Sequence, residues 1–298
     1  MKYNKRIMFL YLTIMFVFTA CSKHQHTFVD ADCNNPAICS ECREITGEAL
    51  GHTSAIGVCS RCGEIGNKEL LATLNTNFGQ MMEAGTPLFS CLSGVTDLDA
   101  NIQYGQFLEA DKHTAAMASV YEEIIAVCTG YEELNGIVYQ TNLLKSTCPP
   151  PISGSDATFL ANQGVLYQLY LQQISSSCSY MSENLDYLAG NRDKQVEITY
   201  FEEVPNMPTP DSVIYGISYK STENASGNIQ YMYSIGDNET DAMLNYNLFL
   251  SAIETNTELK VDVSDSMVIV SQDGKMVAVM MAGNDVSIGY FLTVSFQG

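Results

Sequence analysis

Two C-x-x-C pairs near the start of the chain carry the strongest chemical signal in the sequence. They are Cys39/Cys42 and Cys59/Cys62, with 16 residues between Cys42 and Cys59. Each pair can form a tight turn that directs two thiolates at one point, and a linker of about 15–20 residues lets two such turns meet. Gly63 follows the second pair and suits the positive φ that such a turn often requires. The spacing predicts a tetrahedral, structural zinc site with these four cysteines as ligands.

The ligand set has an alternative. Cys33, Cys39, Cys42 and His52 also offer three sulfurs and one imidazole, which is a common zinc donor set. We expect the four-cysteine set because it uses both pairs, with Cys33, His26 and His52 as alternates. Disulfides are a further alternative, since an exported protein can be oxidised. A redox dithiol fits less well, because redox C-x-x-C motifs lie near a βαβ pattern and these pairs are surrounded by glycine-rich turns.

The amino-acid composition of the chain indicates which kind of zinc site to expect and which partners to exclude. Catalytic zinc keeps an open coordination position and usually has several histidine ligands, whereas the chain has only four His and no H-E-x-x-H motif. The chain carries 34 Asp+Glu against 14 Lys+Arg, a formal net charge of −20, which repels phosphate backbones. We therefore expect the zinc to be structural and exclude nucleic acid as a partner.

The first 20 residues have the composition of a secretory signal peptide, and Cys21 follows them. Residues 1–6 are basic, and residues 7–18 form an apolar run that is shorter than the roughly 20 residues of a membrane-spanning helix. Residues 18–21, FTAC, resemble the lipobox of bacterial lipoproteins. The resemblance implies that Cys21 becomes the lipidated first residue of an extracytoplasmic, membrane-anchored chain. An ordinary signal peptide or an uncleaved anchor is the alternative.

The pattern H-x-aromatic-x-x-A-x-C-x-x-P-x-x-C-x-x-C, followed by G-x-A-L-G-H, runs through residues 26–52. Its positions are His26, Phe28, Ala31, Cys33, Pro36, Cys39, Cys42, Gly47, Ala49, Leu50, Gly51 and His52. His52-Thr53 repeats His26-Thr27, as the start of a second, shorter repeat would. This pattern resembles the zinc-ribbon-like repeats of surface lipoproteins of Gram-positive bacteria. The resemblance implies a metal-stabilised module and carries no activity with it.

Helical periodicity dominates the next region, residues 67–194. The first helix is expected to end at Gly85-Thr86-Pro87, because proline breaks a helix. Further helices are expected over residues 96–128 and 131–146 and from residue 156 onward. Short connections between helices of this length predict an antiparallel helical bundle.

Four cysteines lie in the predicted bundle. Its topology places Cys91 and Cys148 near one end and Cys128 and Cys178 near the other. Two disulfides with those pairings could form, although four cysteines allow three connectivities. Four buried thiols that pack as small apolar groups are the alternative.

Residues 195–298 alternate between apolar and polar positions in short runs, which predicts strands. A single helical pattern, residues 237–255, interrupts them. The predicted strands are residues 195–204, 213–219, 229–235, 259–263, 267–271, 275–282 and 286–296, with hairpin turns at 272–274 and 283–285. The order predicts a small α+β domain in which one helix covers an antiparallel sheet.

The chain is thus expected to be an α+β protein of several parts. They are a signal peptide (1–20), a zinc-ribbon-like module (21–66), a helical bundle (67–194) and an α+β domain (195–298). We find no G-x-S-x-G, Walker or dinucleotide-binding motif and no candidate catalytic residue. We therefore expect a binding or structural module whose partner is a cell-surface protein or glycan. The alternative is an extracellular hydrolase of cell-wall or peptide substrates whose site is scattered along the sequence.

Overall fold

The structure is a computed structural model that describes residues 26–92, 100–225, 227–264, 267–287 and 289–297. The chain divides after Gly66 into two units, each of which we describe separately. The predicted signal peptide and Cys21 lie outside the described residues.

The first unit contains a small antiparallel sheet. Its strands are β1 (Phe28–Val29), β2 (Ala37–Cys39) and β3 (Ile45–Thr46), and β2 lies in the centre. Four of its apolar residues are buried: Cys33, Cys39, Ile56 and Cys59. Cysteine thiols therefore occupy most of the space that aliphatic side chains fill in a larger domain.

Four long helices begin the second unit. They are α1 (Lys68–Leu92), α2 (Ala100–Cys128), α3 (Asn135–Thr147) and α4 (Ala157–Leu188). Helix α1 packs against α2, α2 against α3, and α3 against α4. Asp156 caps α4, because its carboxylate accepts a hydrogen bond from the Phe159 N–H at 3.0 Å. No helix in the described residues is long and apolar enough to cross a membrane.

The predicted end of the first helix at residues 85–87 is wrong, because α1 continues through Pro87. A proline inside a helix costs about 3 kcal/mol or more. Packing of the surrounding turns offsets this cost. Gly85 of α1 lies against the Met117 side chain of α2, with 3.5 Å from the position of a Cβ to that side chain, and Leu88 is fully buried.

A six-stranded antiparallel sheet ends the second unit, with strands in the order β4-β5-β9-β8-β7-β6. Helix α5 (Pro210–Val213) precedes the sheet, and α6 (Glu239–Glu254) follows β5 and covers one face. The Asn238 side chain caps α6 by accepting the Asp241 N–H at 3.0 Å. The strands are β4 (Ser218–Ala225), β5 (Asn228–Gly236), β6 (Leu259–Ser264), β7 (Met267–Gln272), β8 (Lys275–Asp285) and β9 (Gly289–Gln297).

One predicted hairpin turn is confirmed and the other is displaced. Asp273 and Gly274 have φ values of 52° and 74°, as a two-residue hairpin turn requires. Strand β8 continues through the predicted turn at residues 283–285, and Asp285 pairs with Gly289. The second turn therefore lies immediately after the predicted position.

The first predicted strand, residues 195–204, is wrong. The carbonyl of Val196 accepts a hydrogen bond from the Tyr180 hydroxyl of α4 at 2.8 Å, and the Phe201 N–H donates to the Met207 carbonyl at 3.1 Å. A helix side chain and the segment's own return loop therefore take up backbone groups that a strand would use for pairing.

The helices and the sheet share one core. Leu143 of α3 lies in the same buried cluster as Phe249 of α6 and Val294 of β9. The Tyr139 hydroxyl of α3 donates to the Ala252 carbonyl of α6 at 3.0 Å. The regions predicted as 67–194 and 195–298 thus lie in one compact unit. The expected mixed α+β fold, with a small N-terminal sheet, a helical region and an antiparallel sheet with a covering helix, is confirmed.

Candidate metal centre

Both C-x-x-C pairs form the same backbone turn. In the first, residues 39–44, the Arg43 N–H donates to the Cys39 carbonyl at 3.0 Å, and the Cys39 N–H donates to the Glu44 carbonyl at 2.8 Å. The second turn, residues 59–64, repeats both bonds at the same positions, each at 2.8 Å. Each turn therefore holds its two cysteine side chains on the same side of a closed loop.

The fifth residue of each turn has positive φ, with Arg43 at 64° and Gly63 at 74°. Glycine adopts this conformation freely, whereas a residue with a side chain is strained there by roughly 1–2 kcal/mol. A glycine after C-x-x-C is therefore not required for the turn. The sequence signal that identifies both turns is the repeat CSECREI and CSRCGEI, at residues 39–45 and 59–65.

Four side chains converge at the first metal group, which consists of Cys33, His52, Cys59 and Cys62. One donor atom from each lies within 4.8 Å of every other. The sulfurs of Cys33 and Cys59 are 3.7 Å apart, and the Cys62 sulfur is 3.4 Å from His52 Nδ1. Ligands of a tetrahedral zinc ion with Zn–S near 2.3 Å and Zn–N near 2.05 Å are about 3.8 Å apart for two sulfurs and about 3.5 Å for sulfur and nitrogen. The group thus forms a possible metal site with nearly tetrahedral spacing.

A second contact orients His52. Its Nε2 lies 3.2 Å from Asn34 Oδ1, so a proton on Nε2 can be donated to the amide oxygen. A neutral imidazole that carries its proton on Nε2 has an unprotonated Nδ1, and this nitrogen is the one that faces the Cys62 sulfur. Metal-binding histidines usually have such an outer hydrogen bond.

The thiols of this group differ in their protonation. The Thr53 hydroxyl and the Thr53 N–H lie 3.5 and 3.4 Å from the Cys59 sulfur, and their hydrogen bonds lower the pKa of Cys59 to about 4. Burial, together with hydrogen bonds to the thiols of Cys62 and Cys59, raises the pKa of Cys33 to about 12. Three thiolates at this distance repel one another, and a divalent cation would remove that repulsion.

The second group consists of His26, Cys39 and Cys42, whose donor atoms also lie within 4.8 Å of one another. The Cys42 sulfur is 3.3 Å from His26 Nδ1. The Nε2 atom of the same ring lies 3.2 Å from a carboxylate oxygen of Glu44.

The structure divides the predicted four-cysteine set between these two groups. Cys59 and Cys62 join the alternates Cys33 and His52, whereas Cys39 and Cys42 join the alternate His26. The other predicted set, Cys33, Cys39, Cys42 and His52, is divided as well.

Loop contacts explain this division. The Leu50 N–H donates to the Asp32 carbonyl at 2.8 Å, which holds the loop of Cys33 beside the segment that precedes His52. The Arg61 guanidinium donates to the Leu50 carbonyl at 2.7 Å, which brings the second turn to the same place.

No disulfide joins any of the nine cysteines in the described residues. Of the four in the second unit, Cys128 and Cys178 are buried, and Cys91 and Cys148 are half-buried. Burial raises the pKa of Cys128 and of Cys178 to about 12, which keeps both protonated and unreactive. The alternative of buried, packed thiols therefore describes Cys128 and Cys178 only. The proposed lipid anchor, Cys21, lies outside the described residues.

A polar cleft of about 450 Å³ opens in the second unit. It lies between α3, the segment after residue 200 and the loop after α6, and the residues lining it are uncharged. Tyr200 also lines a neighbouring cleft of about 300 Å³, and its side chain is 47% exposed. The lining includes Asn135, Tyr139, Asn142, Tyr200, Asn206 and Asn256. Amide groups both donate and accept hydrogen bonds, so the cleft suits a neutral, hydrogen-bonding ligand.

We found no match to this chain among protein-family models, curated proteins or solved structures.

Proposed function

We propose that the protein is a membrane-anchored, extracytoplasmic lipoprotein that acts as a binding or structural module and contains a structural zinc site. The convergence of Cys33, His52, Cys59 and Cys62 is the observation that carries this proposal. The first unit buries few aliphatic side chains, so a bound metal would supply the stability that its core cannot.

The donor set favours zinc. Three thiolates and one imidazole are soft to intermediate ligands, which suit Zn²⁺ and do not suit Mg²⁺ or Ca²⁺. All four tetrahedral positions would be taken by protein atoms, which is typical of structural zinc sites, whereas catalytic sites leave one position for water.

The sequence supports the proposed location. The basic start, the apolar run of residues 7–18 and the FTAC junction together favour export and lipidation at Cys21. Zinc coordination would also protect closely spaced thiols from oxidation outside the cytoplasm.

Metal analysis of the purified protein tests the zinc proposal. We expect Cys62→Ser to lower the zinc content by about one equivalent, because tetrahedral zinc loses one of its four ligands. Cys128→Ser is the control, since Cys128 belongs to neither metal group, and it should leave the zinc content unchanged. Equal zinc content in Cys62→Ser and the unmodified protein, or a disulfide-linked peptide between Cys33 and Cys59, would contradict the proposal.

The partner that we propose is a neutral cell-surface glycan or protein, because the net charge of −20 opposes anionic ligands and the cleft at Tyr200 is uncharged. In a binding assay with a panel of immobilised neutral polysaccharides, Tyr200→Ala should reduce retention at least tenfold. Tyr219→Ala is the matched control, since Tyr219 is 49% exposed and lies on β4. Equal retention of the two variants would exclude the cleft as the binding site.

A further inference from the structure

We propose that His26, Cys39 and Cys42 form a second zinc site, separate from the first. The inference extends the zinc chemistry of the proposed function, but it does not require the first site to be filled. Its basis is that the first unit contains the same arrangement twice, with one histidine and one C-x-x-C turn in each copy.

The imidazoles are oriented in the same way in both copies. Nδ1 faces the last cysteine of the turn at 3.3 Å for His26 and at 3.4 Å for His52. Nε2 faces an oxygen at 3.2 Å in both, from Glu44 in one copy and from Asn34 in the other. With its proton on Nε2, each ring directs its lone pair at a sulfur, which is how a metal-binding histidine is held.

The charges of the two copies also agree. The first group has three thiols and a neutral amide behind its histidine. The second has two thiols and the Glu44 carboxylate behind its histidine. With thiols ionised, each copy carries three negative charges, so one Zn²⁺ leaves a net charge of −1 in both. The carboxylate at His26 would strengthen that imidazole as a ligand.

Two ions are indicated rather than one. The groups share no residue, and Cys33 lies between His26 and Cys39 in the sequence but belongs to the other group. The metal-binding segments therefore interleave along the chain, and each group has its own cluster of donor atoms.

The second group offers three donors among the described residues, whereas the first offers four. Zinc with three protein ligands takes a further donor, commonly water, in its fourth position. We therefore expect the second ion to exchange faster and to be removed first by a chelator.

Zinc stoichiometry of the full protein tests the inference. Cys42 and Cys62 are a matched pair, because both are exposed, are the second cysteine of their C-x-x-C pair and face a histidine Nδ1. We expect two zinc equivalents in the unmodified protein, about one in Cys42→Ser, about one in Cys62→Ser and two in Cys128→Ser. One equivalent in the unmodified protein that Cys42→Ser retains would overturn the second site and leave the first intact. Loss of all zinc in both variants would also overturn it, because it would indicate one shared cluster.

A milder variant covers the case in which a ligand substitution disrupts folding. Glu44→Gln keeps all three donors but removes the carboxylate behind His26. Loss of an outer-shell partner typically lowers metal affinity about 10–100-fold. In a chelator titration, Glu44→Gln should lower the affinity of one zinc equivalent only, and Asn34→Ala should lower that of the other. An unchanged titration curve for Glu44→Gln would overturn the inference.

Discussion

Removal of zinc by a strong chelator is expected to unfold residues 26–66 while the second unit remains folded. The buried apolar residues of the first unit are Cys33, Cys39, Ile56 and Cys59, so three of the four are candidate metal ligands. Domains below about 40 residues usually need disulfides, metals or oligomerisation to fold. The described cysteines of this unit form no disulfide, so we expect the proposed metal to be its main source of stability.

The size of this effect follows from the coupling of metal binding to folding. Structural zinc contributes about 10–16 kcal/mol of apparent binding free energy in small zinc-finger peptides at neutral pH. This exceeds what one buried isoleucine contributes, about 1.5–3 kcal/mol. The second unit should not respond, because its core of aliphatic and aromatic side chains contains neither metal group.

Hydrogen exchange with and without chelator measures this prediction. Amides of the β1–β3 sheet should exchange rapidly after chelation, and those of α6 should remain protected. Cys59 and Cys128 are each 1% exposed and provide a matched pair. Cys59→Ser should lower the stability of the first unit only, whereas Cys128→Ser should lower that of the second unit only. Persistent protection of β2 amides in the metal-free protein would show that the first unit does not depend on a metal.

A possible metal site in the first unit could be predicted from cysteine spacing, but the grouping of its candidate ligands could not. Spacing shows which thiols one turn brings together. It does not show which histidine reaches that turn, because this depends on contacts between loops, such as that of Asp32 with Leu50. The repeated His-Thr and C-S-x-C-x-E-I motifs pair each histidine with its own turn. Cys33 has no counterpart in the shorter repeat, so its place in the other group required the structure.

In the second unit, the sequence predicted correctly a feature whose conformation depends only on neighbouring residues. The hairpin turn at Asp273 depends on a few neighbouring residues. Two other outcomes depend on residues that are distant in the sequence. They are the continuation of α1 through Pro87 and the absence of a strand at residues 195–204. Packing of α1 against α2 outweighs the proline, and hydrogen bonds to α4 and the return loop replace strand pairing.

Substitution of Cys21→Ser is expected to move the protein from the membrane fraction to the soluble extracytoplasmic fraction. The proposed acyl chains would contribute about 0.8 kcal/mol of membrane affinity for each buried CH₂ group, and one chain alone gives only marginal binding. Loss of the lipid should therefore remove most of the attachment.

Metabolic labelling with a radioactive fatty acid, followed by fractionation, measures this outcome. The unmodified protein should carry label and sediment with membranes, whereas Cys21→Ser should carry none. Cys91→Ser is the control, because it also removes one cysteine but should retain both the label and the location. A labelled Cys21→Ser protein would place the lipid elsewhere. An unlabelled but membrane-bound unmodified protein would instead indicate that residues 7–18 remain as an uncleaved anchor, since that run is the apolar segment next to Cys21.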